Sequence, residues 1–194
     1  MASRRHYVIY VPGIRDDLYH VQFLLIQCWR LWGVRPVLLT MPWAGEGAFE
    51  PKIVRLISRV DAYVQQGYKV SLVGASAGAS AVLNAYVQRR EEVRGVVYIC
   101  GKINYPDTVS AQTYAQNQAF KTSMQQLQNN LSLLTDADKR KLTSFYSSAD
   151  TTVPYTDTVI EGVLEQKLPL LGHMWSILYA ISVGSGKLLQ TLKK

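Results

Sequence analysis

The sequence is poor in cysteine, which limits the kinds of protein it encodes. Cys28 and Cys100 are the only cysteines among 194 residues, and two cysteines do not make the disulfide framework of a small secreted domain. Cys28 falls in a helical pattern and Cys100 at the end of a strand pattern. We therefore interpret both as small buried apolar residues, with Cys100 close to the edge where a site is expected below.

Long hydrophobic runs are also lacking. The basic segment from Met1 to His6 is followed by an apolar run of only Tyr7 to Val11, which is too short for the core of a signal peptide. The apolar stretch from Trp175 to Val183 is far below the roughly 20 residues needed to cross a bilayer. We therefore expect a soluble, cytoplasmic protein with no stable membrane insertion.

Acidic residues are in deficit: 14 aspartates and glutamates stand against 21 lysines and arginines, a formal net charge of +7. The basic residues are scattered along the chain and are not interleaved with aromatic side chains, as they are in a nucleic-acid-binding stripe. The excess therefore indicates solvated surface charge, and we expect no nucleic-acid partner. The oligomeric state stays open.

Internal repeats, linkers and low-complexity windows are absent from the sequence, whose hydrophobic content of 48% is typical of globular proteins. Its length fits a single domain, residues 1–194, with a full core. Strand and helix patterns alternate throughout, which predicts a mostly parallel sheet of about six strands covered by helices on both faces, a three-layer α/β/α sandwich. The predicted elements tested below are a helix over 18–32 capped by Asp16 or Asp17, a strand over 35–40, a helix over 156–164, a strand over 167–171 and a final helix from Met174.

The most informative segment runs from Val70 to Val82. It reads as a short apolar strand, then Gly-x-Ser-x-Gly centred on Ser76, then a helix rich in small residues. This is the pattern of a nucleophile elbow, in which a serine sits on a tight strand-to-helix turn. Gly74 and Gly78 leave room where side chains would collide.

A serine hydroxyl is a weak nucleophile, so a base and an orienting carboxylate are needed nearby. The sequence has three histidines. His6 opens the first strand and His20 lies early in a helix, whereas His173 follows the last predicted strand. Asp150 also follows a strand, while Asp107, Asp136, Asp138 and Asp157 are interpreted as helix caps or solvated charges.

The tetrahedral intermediate of acyl transfer also needs hydrogen-bond donors for its oxyanion. We assign one to the backbone N–H of Ala77, at the start of the helix, and the other to that of Ile14, with Gly13 as the near alternative. Candidate substrate-binding residues lie in the loops at the same edge: Gly13, Arg15, Trp43, Tyr105, Val153 and Met174, together with Tyr155 and Trp175. Arg15 could bind a carboxylate or phosphate of the substrate, but an arginine in such a loop more often forms an ion pair, here with Asp16 or Asp17.

The chain resembles the α/β-hydrolase family in three motifs and one loop. The motifs are Gly74-Ala75-Ser76-Ala77-Gly78, Asp150-Thr151-Thr152-Val153-Pro154 and Gly172-His173, in the family's order of serine, acid and histidine. Pro12-Gly13 resembles the oxyanion loop, although many members have His before the Gly, and Ser147-Ser148 stands where a Gly is common. Val11-Pro12-Gly13 and Met41-Pro42 resemble the small serine hydrolases related to retinoblastoma-binding protein nine.

This resemblance implies a minimal hydrolase with almost no lid and no metal or organic cofactor. We expect a carboxylesterase-like serine hydrolase acting on a small acyl substrate, with Ser76, His173 and Asp150 as its triad. A thioesterase, a small-peptide hydrolase, and a non-catalytic relative that binds a ligand or protein in the same cleft remain alternatives.

Overall fold

The structure, a computed structural model, describes residues 5–14, 18–45 and 47–193, and six strands within them form one sheet. The strands are β1 His6–Val11, β2 Val34–Leu38, β3 Lys69–Ala75, β4 Val93–Ile99, β5 Leu142–Tyr146 and β6 Leu164–Lys167. Their spatial order is β2-β1-β3-β4-β5-β6, and each neighbouring pair is parallel. The predicted six-stranded parallel sheet is confirmed.

Helices cover both faces of the sheet. They are α1 Tyr19–Ile26, α2 Glu50–Gln65, α3 Gly78–Gln88, α4 Ala111–Gln116, α5 Gln118–Leu131, α6 Asp136–Arg140, α7 Tyr155–Thr158, α8 His173–Ile181 and α9 Ser185–Thr191, with 3-10 helices at Gln27–Trp32 and Pro106–Thr108. Across the described ranges, none of the helices is both long and apolar enough to cross a membrane.

The central strands β1, β3 and β4 are largely apolar on both faces because each face packs on helices. Ile9 and Val11 of β1 belong to the core that also contains side chains of α2, α3 and α5. Val8 and Tyr10 belong to the opposite core, with side chains of α1, α8 and α9. A strand buried on both faces reads as a nearly continuous hydrophobic run, which is the pattern seen in the sequence.

The strand order reverses between β1 and β3. The chain leaves β1 towards β2 on one side and returns to β3 on the other, with Val11 opposite Gly74 in the register. In open parallel sheets, ligands bind in the crevice beyond the carboxyl ends of the strands at such a point. The loop after β1 and the turn after β3 meet there.

The last strand lies earlier in the chain than predicted. β6 covers Leu164–Lys167, whereas the sequence predicts a helix over 156–164 and a strand over 167–171. Only Tyr155–Thr158 is helical. Leu168, just beyond the last residue of β6, still donates its N–H to the carbonyl of Tyr146 at 2.8 Å.

Two predicted helices are broken. The helix predicted over 18–32 changes from α1 to a 3-10 helix at Gln27, and its candidate caps, Asp16 and Asp17, lie outside the described residues. The final helix divides into α8 and α9, where the Ser182 hydroxyl hydrogen-bonds the carbonyl of Leu178. A serine that bonds the backbone in this way competes with the helical hydrogen bonds. β2 also begins earlier than predicted and includes Pro36 on the sheet edge.

One histidine is buried in the sheet, away from the carboxyl ends of the strands. His6, the first residue of β1, is 8% exposed, and its Nε2 hydrogen-bonds the Ser71 hydroxyl at 2.9 Å. Burial lowers its pKa to about 4, with further lowering from the positive charges of Arg94, Lys69 and Lys193. His6 is therefore neutral in the folded protein at neutral pH.

Below neutral pH we expect His6 to destabilise the fold. The unfolded chain binds a proton at His6 near pH 6.5, whereas the folded chain binds it only near pH 4. The contribution of neutral His6 to the free energy of unfolding is therefore complete above pH 6.5 and is lost as the pH falls to about 4. The shift corresponds to about 3 kcal/mol. Urea unfolding from about pH 7 to about pH 4 checks this for wild type and for His6→Gln, which keeps a polar group beside Ser71.

The His6→Gln variant should lose less stability than wild type across that range, and His20→Gln, at an exposed position, should follow wild type. Parallel curves for wild type and His6→Gln would contradict the assignment.

Candidate active site

Ser76 occupies a strained turn between β3 and α3. Its φ is +50°, in the left-handed region that non-glycine residues rarely adopt. A Cβ at Gly74 would lie 2.5 Å from the carbonyl oxygen of Gly78, and a Cβ at Gly78 would lie 2.2 Å from that of Val11. Only glycine fits at either position, so the two glycines permit the turn, as the sequence predicts.

Hydrogen bonds hold the strained residue in place. The N–H of Ser76 donates to the carbonyl of Ile99 at 3.0 Å, and its own carbonyl accepts from the N–H of Ala79 at 3.1 Å and from that of Lys102 at 3.3 Å. A backbone in a sparsely populated conformation persists only where its surroundings constrain it in this way. The side chain of Ser76 is therefore presented from a rigid support.

His173 and Asp150 form a short hydrogen-bonded pair. Nδ1 of His173, the first residue of α8, lies 2.6 Å from Oδ2 of Asp150. The other carboxylate oxygen accepts the N–H groups of Thr152 and Val153, both at 2.9 Å. Because the bond occupies Nδ1, Nε2 is left to exchange a proton with another group.

The pKa of Asp150 results from opposing effects. Burial raises it, but the hydrogen bond from His173 and the backbone N–H of Val153 lower it by more, so the pKa lies below its ordinary value. The carboxylate is therefore ionised at neutral pH and stabilises positive charge on the imidazole.

Ser76 and His173 line the same cavity. This cavity, which we call the histidine cavity, has a volume of about 430 Å³ and is bounded by Gly13, Ile14, Gln22, Ala75, Ser76, Thr152, His173, Met174 and Ile177. Within the described ranges no hydrogen bond joins the Ser76 hydroxyl to His173. In ligand-free sites such bonds are often long and tighten when substrate binds.

Two backbone N–H groups beside Ser76 are unused. Within residues 5–14, 18–45 and 47–193, neither Ile14 nor Ala77 has an acceptor for its N–H. A Cβ at Gly13 would lie 2.9 Å from Cβ of Ser76, so the loop after β1 runs directly against the serine. Ala77 precedes α3, whose positive dipole end favours negative charge. The arrangement can accept a developing oxyanion.

A second cavity reaches Ser76 from the other side. This cavity, which we call the threonine cavity, has a volume of about 600 Å³ and shares Ile14, Ser76 and Thr152 with the histidine cavity. Its wall comes largely from the segment before α5 and from the turn after Asp150. α5 itself packs on α3 through Ser80, Asn84 and Ser123.

The candidate substrate-binding residues divide between these sites. Gly13 and Met174 line the histidine cavity, and Tyr105 and Val153 line the threonine cavity. Trp43 does not line either cavity: it is fully buried in the core, where its Nε1 donates to the carbonyl of Pro12 at 3.3 Å, which corrects the prediction. Arg15 lies outside the described residues, and the exposed Tyr155 and Trp175 line neither cavity.

The threonine cavity contains a buried ion pair that the sequence patterns do not predict. Lys102 Nζ hydrogen-bonds the carboxylate of Asp157, and both residues line the cavity. The interpretation of Asp157 as a solvated cap is wrong, because it is 5% exposed. The available signal was a lysine two residues after the end of an apolar strand, in Cys100-Gly101-Lys102-Ile103.

Cys100 lies beside the acid and the histidine. Its Sγ, a carboxylate oxygen of Asp150 and a ring nitrogen of His173 all lie within 4.8 Å of one another, close enough to hold a metal ion. Burial, with the nearby charge of Asp150, raises the pKa of the thiol. Metal binding needs the thiolate and would break the Asp150–His173 bond, so these residues fit a hydrogen-bonded pair better than a metal site.

Comparison with known proteins gives a consistent fold. No protein-family model and no curated protein matches the sequence. Est1E from Butyrivibrio proteoclasticus is similar in structure, with a TM-score of 0.65 at 10% identity over 98% of this chain and 90% of that one. A soluble variant of monoglyceride lipase from Saccharomyces cerevisiae gives 0.66 at 12% identity over 99% and 87% of the two chains.

The monoacylglycerol lipase of Paleococcus ferrophilus gives a TM-score of 0.63 at 11% identity over 96% of this chain and 94% of the other. Likeness at such low identity is evidence about the fold. Together with the six-stranded parallel sheet and its two helical layers, these comparisons show that the chain has the α/β-hydrolase fold.

Proposed function

We propose that this chain is a serine hydrolase that cleaves small esters or related acyl substrates through an acyl-enzyme. The observation that carries the proposal is the 2.6 Å bond between His173 and Asp150, in a cavity that His173 shares with the strained Ser76. A nucleophile, a base and a group that orients the base are the parts that this chemistry needs.

In the first half of the reaction the Ser76 hydroxyl attacks the acyl carbon. A bond forms between Oγ and that carbon, and the hydroxyl proton passes to Nε2 of His173. The carbonyl oxygen becomes an oxyanion and accepts hydrogen bonds from the N–H groups of Ile14 and Ala77. The bond to the leaving oxygen then breaks, and His173 gives its proton to that oxygen.

In the second half a water molecule gives a proton to Nε2 of His173 and attacks the acyl carbon. The bond from Ser76 Oγ to this carbon breaks, the carboxylic acid leaves, and the proton on His173 returns to Oγ. Asp150 keeps the imidazole oriented and stabilises its charge throughout, without itself being protonated.

The comparisons support hydrolysis without naming a substrate for this chain. The similar structures include monoacylglycerol and monoglyceride lipases and a metagenomic carboxyl esterase. Two finer points belong to the same proposal. Membership of the small hydrolases related to retinoblastoma-binding protein nine is supported by the Val11-Pro12-Gly13 and Met41-Pro42 motifs, and a cytoplasmic location by the two free cysteines.

Ser76→Ala should abolish covalent labelling by a fluorophosphonate. In wild type, Oγ attacks phosphorus, fluoride leaves, and the protein gains the mass of the phosphonyl group. Ester hydrolysis should fall by at least about a thousandfold in the variant. Intact-mass spectrometry and a para-nitrophenyl butanoate assay measure the two effects, with Ser132→Ala, at an exposed position, as the matched serine control. Labelling of a folded Ser76→Ala protein, or none of wild type, would contradict the proposal.

Asp150→Asn should lower kcat by about 10⁴-fold with little change in KM, because the residue orients the base and does not touch substrate. Steady-state kinetics on para-nitrophenyl butanoate test this. Asp136→Asn, which changes an exposed acid of α6, serves as the matched control and should keep the wild-type kcat. A kcat near wild type in folded Asp150→Asn would remove Asp150 from the mechanism.

Short acyl chains should be hydrolysed faster than long ones. The cavities of about 600 and 430 Å³ at Ser76 suit compact ligands rather than lipid chains. We expect kcat/KM for para-nitrophenyl butanoate to exceed that for the hexadecanoate by at least about tenfold, after subtraction of spontaneous hydrolysis. A profile that is flat from short to long chains would be inconsistent with this substrate class.

A further inference from the structure

Lys102 and Asp157 form an ion pair in the wall of the threonine cavity. They are 6% and 5% exposed. Lys102 Nζ hydrogen-bonds a carboxylate oxygen of Asp157 and, at 2.6 Å, the Thr108 hydroxyl. All three residues line the cavity that reaches Ser76. None of the steps of the proposed mechanism uses them.

A buried ion pair is a poor way to stabilise a fold. The cost of removing both charges from water often equals or exceeds their attraction, and apolar side chains of similar volume are frequently at least as stable in the same place. Here the pair lies on the wall of a cavity that also reaches Ser76. The position points to a role in binding.

The pair has both a donor and an acceptor to offer. Lys102 carries three N–H donors, and two have partners in the described part of the chain. The second carboxylate oxygen of Asp157 accepts one long bond of 3.4 Å from the Thr156 hydroxyl. Because the charges of the pair cancel, an anionic ligand would be repelled by the carboxylate and a cationic ligand would be repelled by the ammonium group. A hydroxyl, which donates and accepts at once, is the complementary ligand.

The rest of the threonine cavity has the same character. Besides Ser76 and Tyr105, six side chains with a hydroxyl group line it: Thr108, Ser110, Thr113, Thr151, Thr152 and Thr156. Those of Thr151 and Thr152 have no hydrogen-bond partner within the described ranges. The histidine cavity, by contrast, has two hydroxyl side chains among its described lining residues, those of Ser76 and Thr152, and its wall includes Ile14, Ala75, Met174 and Ile177. The two sides of Ser76 therefore suit different halves of a substrate.

The position of His173 indicates which cavity takes the leaving group of the substrate and which takes the acyl group. His173 must give its proton to the leaving oxygen, so the leaving group lies on its side of Ser76, in the histidine cavity. The acyl group then occupies the threonine cavity. Resting on the proposed function, we propose that the preferred substrates are esters of hydroxylated acyl groups, whose hydroxyl is bound by Lys102 and Asp157.

Two matched pairs of para-nitrophenyl esters test this inference. Each pair differs by a hydroxyl in place of a methyl group: β-hydroxybutanoyl against β-methylbutanoyl, and ω-hydroxyhexanoyl against heptanoyl. In wild type we expect kcat/KM to favour the hydroxylated member of at least one pair by about tenfold or more. The pairs place the hydroxyl at two depths in the cavity.

The double variant Lys102→Met/Asp157→Asn removes both charges together, so that neither is left buried without its partner. The hydroxyl preference should fall to about one, because kcat/KM for the hydroxylated esters falls by more than kcat/KM for the methyl-bearing esters. The matched control is Arg90→Met/Asp138→Asn, which removes an ion pair beyond the far end of α3. It should keep the wild-type preference even if the melting temperature drops.

Each outcome bears on a different claim. Equal rates within both pairs in wild type would overturn the inference and leave the proposed hydrolase intact, whether or not any variant folds. Labelling of Ser76 without hydrolysis of any of these esters would also overturn it. A double variant that loses rate equally on both members, with its preference kept, would show a purely structural pair. No labelling and no hydrolysis would remove the proposed function and the inference together.

Discussion

The site depends on how closely the end of β1 approaches the turn after β3. The contact is so tight that a Cβ at Gly78 would lie 2.2 Å from the carbonyl oxygen of Val11, and one at Gly13 would lie 2.9 Å from Cβ of Ser76. Because these segments touch, the serine hydroxyl and the N–H groups of Ile14 and Ala77 are adjacent by virtue of the sheet itself. Groups held in place before substrate arrives need little reorganisation during reaction.

Two buried carboxylates lie near Ser76, and their charges are compensated in different ways. Asp150 accepts two backbone N–H bonds from its own turn as well as the bond to His173. Its charge is therefore held even while the imidazole is neutral, and the histidine can gain and lose a proton without loss of its support. The charge of Asp157 is balanced by a full positive charge, that of Lys102, which fits the binding role proposed for this pair.

The sheet and the position of Ser76 could be predicted because they follow from short-range rules. Strand periodicity and the steric need for glycine at positions 74 and 78 both depend on residues that are close together in the sequence. The roles of Ser76, His173 and Asp150 stay predictions until they are tested.

The Lys102–Asp157 pair was missed because its members are 55 residues apart, and an acid near a proline looks like an ordinary cap. Trp43 was misplaced because an aromatic side chain in a loop has the same local pattern whether it lines a cavity or enters the core. β6 was misplaced because short strands carry little periodic signal.

The two prolines at the sheet edges have a consequence for how copies of this chain meet. Leu39 donates its N–H to Tyr10, and Leu168 donates to Tyr146, so along each edge strand the residues of odd number in β2 and of even number in β6 direct their N–H groups inward. Pro36 and Pro169 are on the opposite phase, where an N–H would project from the open edge of the sheet. A strand from another molecule that paired with either edge would lack one backbone N–H donor there, because proline has none. Exposed edges of this kind are otherwise templates for aggregation. Pro36 within β2 and Pro169 just after β6 therefore disfavour pairing between copies of this chain.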